Sequence, residues 1–214
     1  MKNEKRNLTV AVLAAAILWF AMFSPWTGGR FNFWLEMSFA AVVLTTLAVC
    51  FTPDFKSLIK VEKPLGQVAA GFLIAFALWG VFWVGDKVSA LLFDFARPEV
   101  DAVYSMKTGL PSYTIALLLL FVIGPAEELF WRGYVQRTLS RVLTGKRAAD
   151  LAFILTTLVY ALVHIWSFNF MLVMAALVAG AAWGFFYRLC PKALPALIIS
   201  HALWDALVFV IMPI

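Results

Sequence analysis

Long apolar runs separated by short polar stretches dominate the chain. They lie at Leu8 to about Ser24, Phe33–Phe51, Gln67–Gly85, Ser112–Trp131, Ala149–Trp166, Phe168–Tyr187 and Ala193–Ile214. Each is close to the roughly 20 residues that a helix needs to cross the hydrocarbon core of a bilayer. The pattern predicts an all-α fold, a polytopic membrane helix bundle of about seven transmembrane helices. The first run follows Lys2, Lys5 and Arg6, as the apolar part of a signal peptide would. It is long for such a segment and no small-residue cleavage site follows it, so it is expected to stay as a first helix.

Composition agrees with a bilayer as the solvent. Hydrophobic residues make up 64% of the 214 positions and charged ones 14%, whereas soluble domains are nearer half apolar and a quarter charged. The net charge of +5 sits in the connections between apolar runs, where it orients a membrane protein, and this excludes a nucleic-acid-binding reading. With the N-terminus in the cytoplasm and the runs alternating, the inner side takes Lys2, Lys5, Arg6, Lys56, Lys60, Lys63, Arg132, Arg137, Arg141, Lys146, Arg147, Arg188 and Lys192. The outer side takes only Arg30, Lys87, Arg97 and Lys107. Such an excess of inner basic residues is the positive-inside pattern. It predicts a cytoplasmic N-terminus and an outer C-terminus, while the short chain and compact loops suggest an integral protein of a prokaryotic cytoplasmic (inner) membrane.

Two connections look like more than linkers. Asp86 to Pro111 mixes apolar and acidic residues and predicts an amphipathic segment on the outer face. Arg132 to Asp150 is basic, with Val135, Leu139 and Val142 at helical spacing, and predicts an inward extension of the fourth helix. There is no tandem repeat, so residues 1–214 read as one integral domain. Its N-terminal part, 1–111, carries the first helices and the outer loop. Cys50 and Cys190 have neither metal-ligand spacing nor a disulfide framework around them.

The chemistry lies in ionisable residues inside apolar runs, where a charge costs about 2.5–3.5 kcal/mol or more. These are Glu36, Glu127, Glu128, His164, His201 and Asp205, and the chain has only two histidines, both inside runs. Glu36 is near the outer end of its run and reads as structural. Glu128 and Arg132 stand at i, i+4 with the acid first, the favoured ion-pair order. That pairing leaves Glu127, about 100° around the helix, free to face another cavity. Pro125, just before them, predicts a kink or local opening. Tyr160 is one turn before His164 on the same face. His201 and Asp205 are one turn apart and can hydrogen-bond, which would fix the imidazole tautomer and favour imidazolium. Each element also has a structural reading: acids neutralising Arg132, a packed histidine, a polar clasp between helices. Gly180 and Gly184 form a GxxxG pair, read as close helix packing around the site.

The ordered series Glu127-Glu128-x-x-x-Arg132, an aromatic four residues before His164, then His201-x-x-x-Asp205, resembles the CPBP family of CAAX proteases and bacteriocin-processing enzymes, also called Abi. The resemblance covers about Ser112 to Phe209 and marks 112–209 as the catalytic core. It implies an intramembrane endopeptidase. Glu127 and His164 would activate water, and His201, supported by Asp205, would stabilise the oxyanion. Glu128, Arg132 and Tyr160 would support them. The chain departs from the family's usual pattern at Tyr160, where Phe is common, and at Asp205, where Asn is common. An ionised Asp cannot donate to an oxyanion, so three readings stay open: Asp205 holds His201 as imidazolium, Asp205 is protonated, or Glu127, His164, His201 and Asp205 bind Zn²⁺. The glutamate mechanism is favoured, with no cofactor required.

The expected substrate is a membrane-anchored or lipidated peptide or protein within the lipid bilayer. A non-catalytic immunity or scaffold protein on the same fold is the alternative. A proton-relay transporter ranks below it, because no inverted repeat or paired broken helix is visible. The expected run boundaries carry one internal conflict. They put Glu127 near the inner end of its helix and His164 near the outer end of the next, too far apart in depth to share a water.

Overall fold

The structure is a computed structural model and describes residues 2–214. Over these residues the chain is helical with short connections and no strand. In order come α1 (Lys2–Phe23), α2 (Phe33–Phe51), a single turn α3 (Phe55–Leu58), α4 (Pro64–Leu92) and α5 (Ala96–Ser105). They are followed by α6 (Ser112–Val142), α7 (Ala148–Ser167), α8 (Phe170–Leu189) and α9 (Pro191–Ile211). Among the described residues, seven helices are long and apolar enough to cross a membrane, all but α3 and α5.

Two helices are longer than their hydropathy suggests, and in both a charge is neutralised in place. α4 runs to Leu92 instead of stopping near Gly85. The Asp86 carboxylate is held between Lys87 Nζ (3.0 Å) and Arg97 Nη1 (2.9 Å), so an acid does not end the helix. The expected amphipathic segment is therefore shorter than Asp86–Pro111 and is α5. α6 continues past Trp131 to Val142 because Arg132 and Gln136 are absorbed by the neighbouring helix. Arg132 Nη2 donates to the Gly180 carbonyl (3.1 Å) and Gln136 Nε2 to the Gly184 carbonyl (2.9 Å). The expected extension of the fourth helix beyond Trp131 is thus present.

α6 also changes pitch. Leu119–Ile123 and Leu129–Gln136 are π-helical, with Gly124–Glu128 α-helical between them. The Gly124 amide reaches back five residues to the Leu119 carbonyl. Pro125 has no amide to give, and the wider turn stands directly before it. Pro125 therefore produces a local change of register and not an open break.

α9 packs against both α4 and α6, α8 packs on α7, and α1 packs on α2 and on the last turn of α7. Glycines set the closest approaches. A Cβ on Gly124 would stand 2.6 Å from Ala202 Cα, and one on Gly71 2.8 Å from Ile199 Cβ. Trp19, Trp34, Trp131 and Trp183 are buried between helices, while Leu13, Ile17, Phe39, Leu73, Phe121 and Leu162 face outward. An outer surface of that kind suits lipid, where the backbone is satisfied inside each helix.

Candidate active site

Glu127 and Glu128 leave α6 in different directions, as adjacent helical residues must. Glu128 points inward and is fully buried. Its Oε1 accepts from Arg132 Nη1 (2.6 Å) and from His201 Nδ1 (2.9 Å) on α9. Arg132 lies near the rings of Tyr160 and Trp183, at 5.1 and 5.5 Å from their centroids. Trp183 in turn stacks on His201 at 3.8 Å, with planes 17° apart. This buried cluster ties α6, α8 and α9 together. A charge there is tolerable only with such partners.

Glu127 faces a different space, as the ion pairing of its neighbour implies. Its Oε2 accepts from the Tyr160 hydroxyl (2.9 Å) on α7. One turn later His164 places Nδ1 2.7 Å from the Tyr160 carbonyl. Glu127, Tyr160, His164, His201 and Asp205 all line one cavity of about 420 Å³. Its other walls are largely apolar and aromatic, with Phe23, Phe33, Phe82, Phe170 and Trp204 among them. Val100, Val103 and Tyr104 of α5 line it as well. α5 is fastened there by the Glu99 carboxylate, which accepts from the Met171 amide (2.8 Å), and by Tyr104, whose hydroxyl donates to the Val208 carbonyl (3.0 Å). Burial pushes the Tyr104 hydroxyl pKa up, so it remains a donor at neutral pH.

The conflict over depth disappears with the longer α6, in which Glu127 is a mid-helix residue opposite the end of α7. The expected hydrogen bond between His201 and Asp205 is absent. His201 Nε2 and Asp205 Oδ2 are 3.6 Å apart, an ion-pair separation beyond hydrogen-bond range. The carboxylate that orients His201 is Glu128, reaching across from α6. Glu36 is half-buried and is not among the residues lining this cavity.

The proposed zinc set does not fit. Among the described residues no three His, Cys, Asp or Glu side chains are grouped to hold a metal ion. Nδ1 of His201 is committed to Glu128, and both nitrogens of His164 have partners, the second being the Trp19 indole (3.1 Å).

Three contributors escape a reading of the sequence. Trp19 comes from α1, well outside the motif region. Trp183 looks like any apolar residue of α8. Asp86 looks like the start of a loop, yet it is buried and lines the cavity. Nothing in the local pattern marks the two tryptophans. The Gly180–Gly184 pair does more than permit packing, because its two carbonyls receive Arg132 and Gln136.

A family model described as Type II CAAX prenyl endopeptidase Rce1-like matches residues 109–207. The matched stretch contains every motif residue that lines the cavity. Neither the curated proteins nor the solved structures compared with the chain gave a match.

Proposed function

Residues 109–207 belong to the CAAX/CPBP-type intramembrane peptidase family, and on that premise we propose that this chain hydrolyses a peptide bond in a membrane-anchored or lipidated substrate, with Glu127 as the general base. The observation that carries the reading is the meeting of Glu127, Tyr160, His164, His201 and Asp205 from three helices in one largely apolar cavity. Groups this costly in a bilayer point to a task.

In the proposed reaction a water at Glu127 gives one proton to the carboxylate as its oxygen attacks the scissile carbonyl carbon. The C=O π pair moves to oxygen, and the oxyanion is met by an N–H at Nε2 of His201, held as imidazolium. Glu128 and Arg132 fix that ring, and Asp205 stands beside it, 3.6 Å from Nε2. Collapse breaks the C–N bond, and Glu127 returns its proton to the leaving amine. His164 completes the wall beside Glu127 and orients it through Tyr160. The segment 112–209 is the proposed catalytic core. An orientation with the N-terminus in the cytoplasm of a prokaryotic inner membrane is part of the same proposal, supported by the basic residues at that end of the bundle.

The test is cleavage of a panel of membrane-anchored and lipidated peptides by purified wild type, Glu127→Ala and His164→Ala proteins, with and without chelator. Cleavage that is lost in Glu127→Ala and indifferent to chelator is the expected result. Cleavage abolished by chelator and restored by metal would sink the glutamate mechanism. Activity persisting in both variants, with contaminating protease excluded, would show that the site is elsewhere.

A further inference from the structure

His164 sits in an aromatic enclosure contributed largely by α1. Trp19 meets its ring edge-on at 5.9 Å, Phe23 approaches at 5.5 Å, and Tyr160 lies one turn below at 5.2 Å. Two hydrogen bonds hold the ring inside it. The Trp19 indole Nε1–H points at Nε2 (3.1 Å), and Nδ1 faces the Tyr160 carbonyl (2.7 Å). Each partner can play only one part. An indole N–H donates and never accepts, and a carbonyl accepts and never donates. Nε2 must therefore carry a lone pair and Nδ1 the proton. A proton on Nε2 would set two N–H groups against each other.

We propose that Trp19 is a positioning residue of the active site: it fixes His164 as the neutral, Nδ1-protonated tautomer, so that Glu127 alone takes the proton from water. This rests on the peptidase reading above and deepens it. The motif region then does not hold the whole working site. α1 lies outside residues 109–207, yet it supplies the group that decides what His164 can do. The geometry around α1 agrees. Phe20 packs edge-on against Trp166 at 4.9 Å and Trp19 against Trp131 at 6.2 Å, so the end of α1 is registered against both α6 and α7. The same Tyr160 that receives Nδ1–H on its carbonyl gives its hydroxyl to Glu127. A turn of the His164 ring would be felt at the base through that one residue.

The experiment uses full-length protein in detergent or nanodiscs, labelled with ¹⁵N-histidine. With two histidines in the chain, a His201→Gln sample assigns the signals. In wild type the His164 spectrum should show a protonated Nδ1 and a hydrogen-bonded, unprotonated Nε2. Trp19→Phe keeps an aromatic ring and removes the donor. Trp19 replaced by benzothienylalanine keeps the bicyclic shape as well, and serves if the phenylalanine variant is unstable. In either, the Nε2 signal should lose its hydrogen-bond shift, and kcat should fall by about tenfold with KM changed less than about twofold. An Nε2 signal unchanged by both substitutions overturns the proposal, as does a protonated Nε2 in wild type. So does a lost hydrogen bond with an unchanged kcat. The spectrum is read without substrate, so it decides the tautomer even if wild type cleaves none of the panel, a result that would count against the peptidase reading alone.

Discussion

Gly180→Ala offers a quantitative test of how the site is held. A Cβ at position 180 would lie 2.8 Å from Tyr160 Cδ1 and 3.7 Å from Arg132 Nη2. The ring must retreat by roughly 0.6 Å or more to regain ordinary carbon–carbon contact. It is not free to do so, because its hydroxyl is bonded to Glu127 and its carbonyl to His164. Either the 2.9 Å bond to Glu127 stretches out of range or α7 and α8 separate, which strains the Arg132 bond to the Gly180 carbonyl. Overpacking of this kind costs about 1–3 kcal/mol of stability. A misplacement approaching 1 Å at reacting groups costs about a hundredfold in rate, so kcat should fall by about ten- to a hundredfold. Gly184→Ala is the control. Its Cβ would meet Phe153 Cδ2 at 3.0 Å and Gln136 Oε1 at 3.3 Å, away from Glu127 and with a partly exposed ring that can swing. Both variants are assayed for peptide cleavage and for unfolding in mixed SDS micelles. Equal kcat losses in the two, or wild-type kcat in Gly180→Ala, would refute the claim that Gly180 positions Tyr160.

Three further outcomes follow from the same geometry. Tyr160→Phe removes one hydrogen bond to a carboxylate, worth about 1.5–3 kcal/mol at most, and should lower kcat without unfolding the protein; circular dichroism and a peptide assay check both halves. Asp205→Asn should keep cleavage within about threefold of wild type, since Glu128 and not Asp205 orients His201; loss of cleavage in a folded variant would show that a negative charge is required there. At the connection after α2, Arg137 beside Asp54 lowers that carboxyl's pKa below the ordinary value. The contribution is therefore present above the unfolded carboxylate pKa and lost as pH falls through the folded one. Because the pair is partly solvated it is worth about 0.2–1 kcal/mol, so Asp54→Asn should slightly flatten the acid limb of a stability–pH curve, less so in high salt.

Hydropathy alone located all seven spans, because a bilayer demands long apolar runs and little else. It misplaced their ends where a charge finds its partner inside the protein. Arg132 and Asp86 read as the starts of connections until Gly180 and Arg97 are brought beside them, and those two partners lie on other helices. The split between Glu127 and Glu128 was legible because helical geometry acts on neighbours. So was the i, i+4 pair of Glu128 and Arg132. The bond between Glu128 and His201 was not, since it joins α6 to α9 across 73 positions. The nearer candidate, Asp205, drew the expectation toward a one-turn pair that the side chains do not make. Trp19 was illegible for a related reason: in a chain with 9 tryptophans, no single one advertises a hydrogen bond.

The length of α6 sets a ruler for the substrate. Glu127 lies 15 positions beyond Ser112 in a 31-residue helix, which puts it roughly 22 Å from that end at about 1.5 Å per residue. An extended chain covers about 3.3 Å per residue, so roughly seven residues of a tail entering from the α5 end would be needed to bring a bond to the carboxylate. A shorter tail would stop above it, and a substrate that stayed helical would have to commit about fifteen residues to the same descent. Tail length and readiness to unwind, as much as side-chain identity, would then decide which peptides are cut.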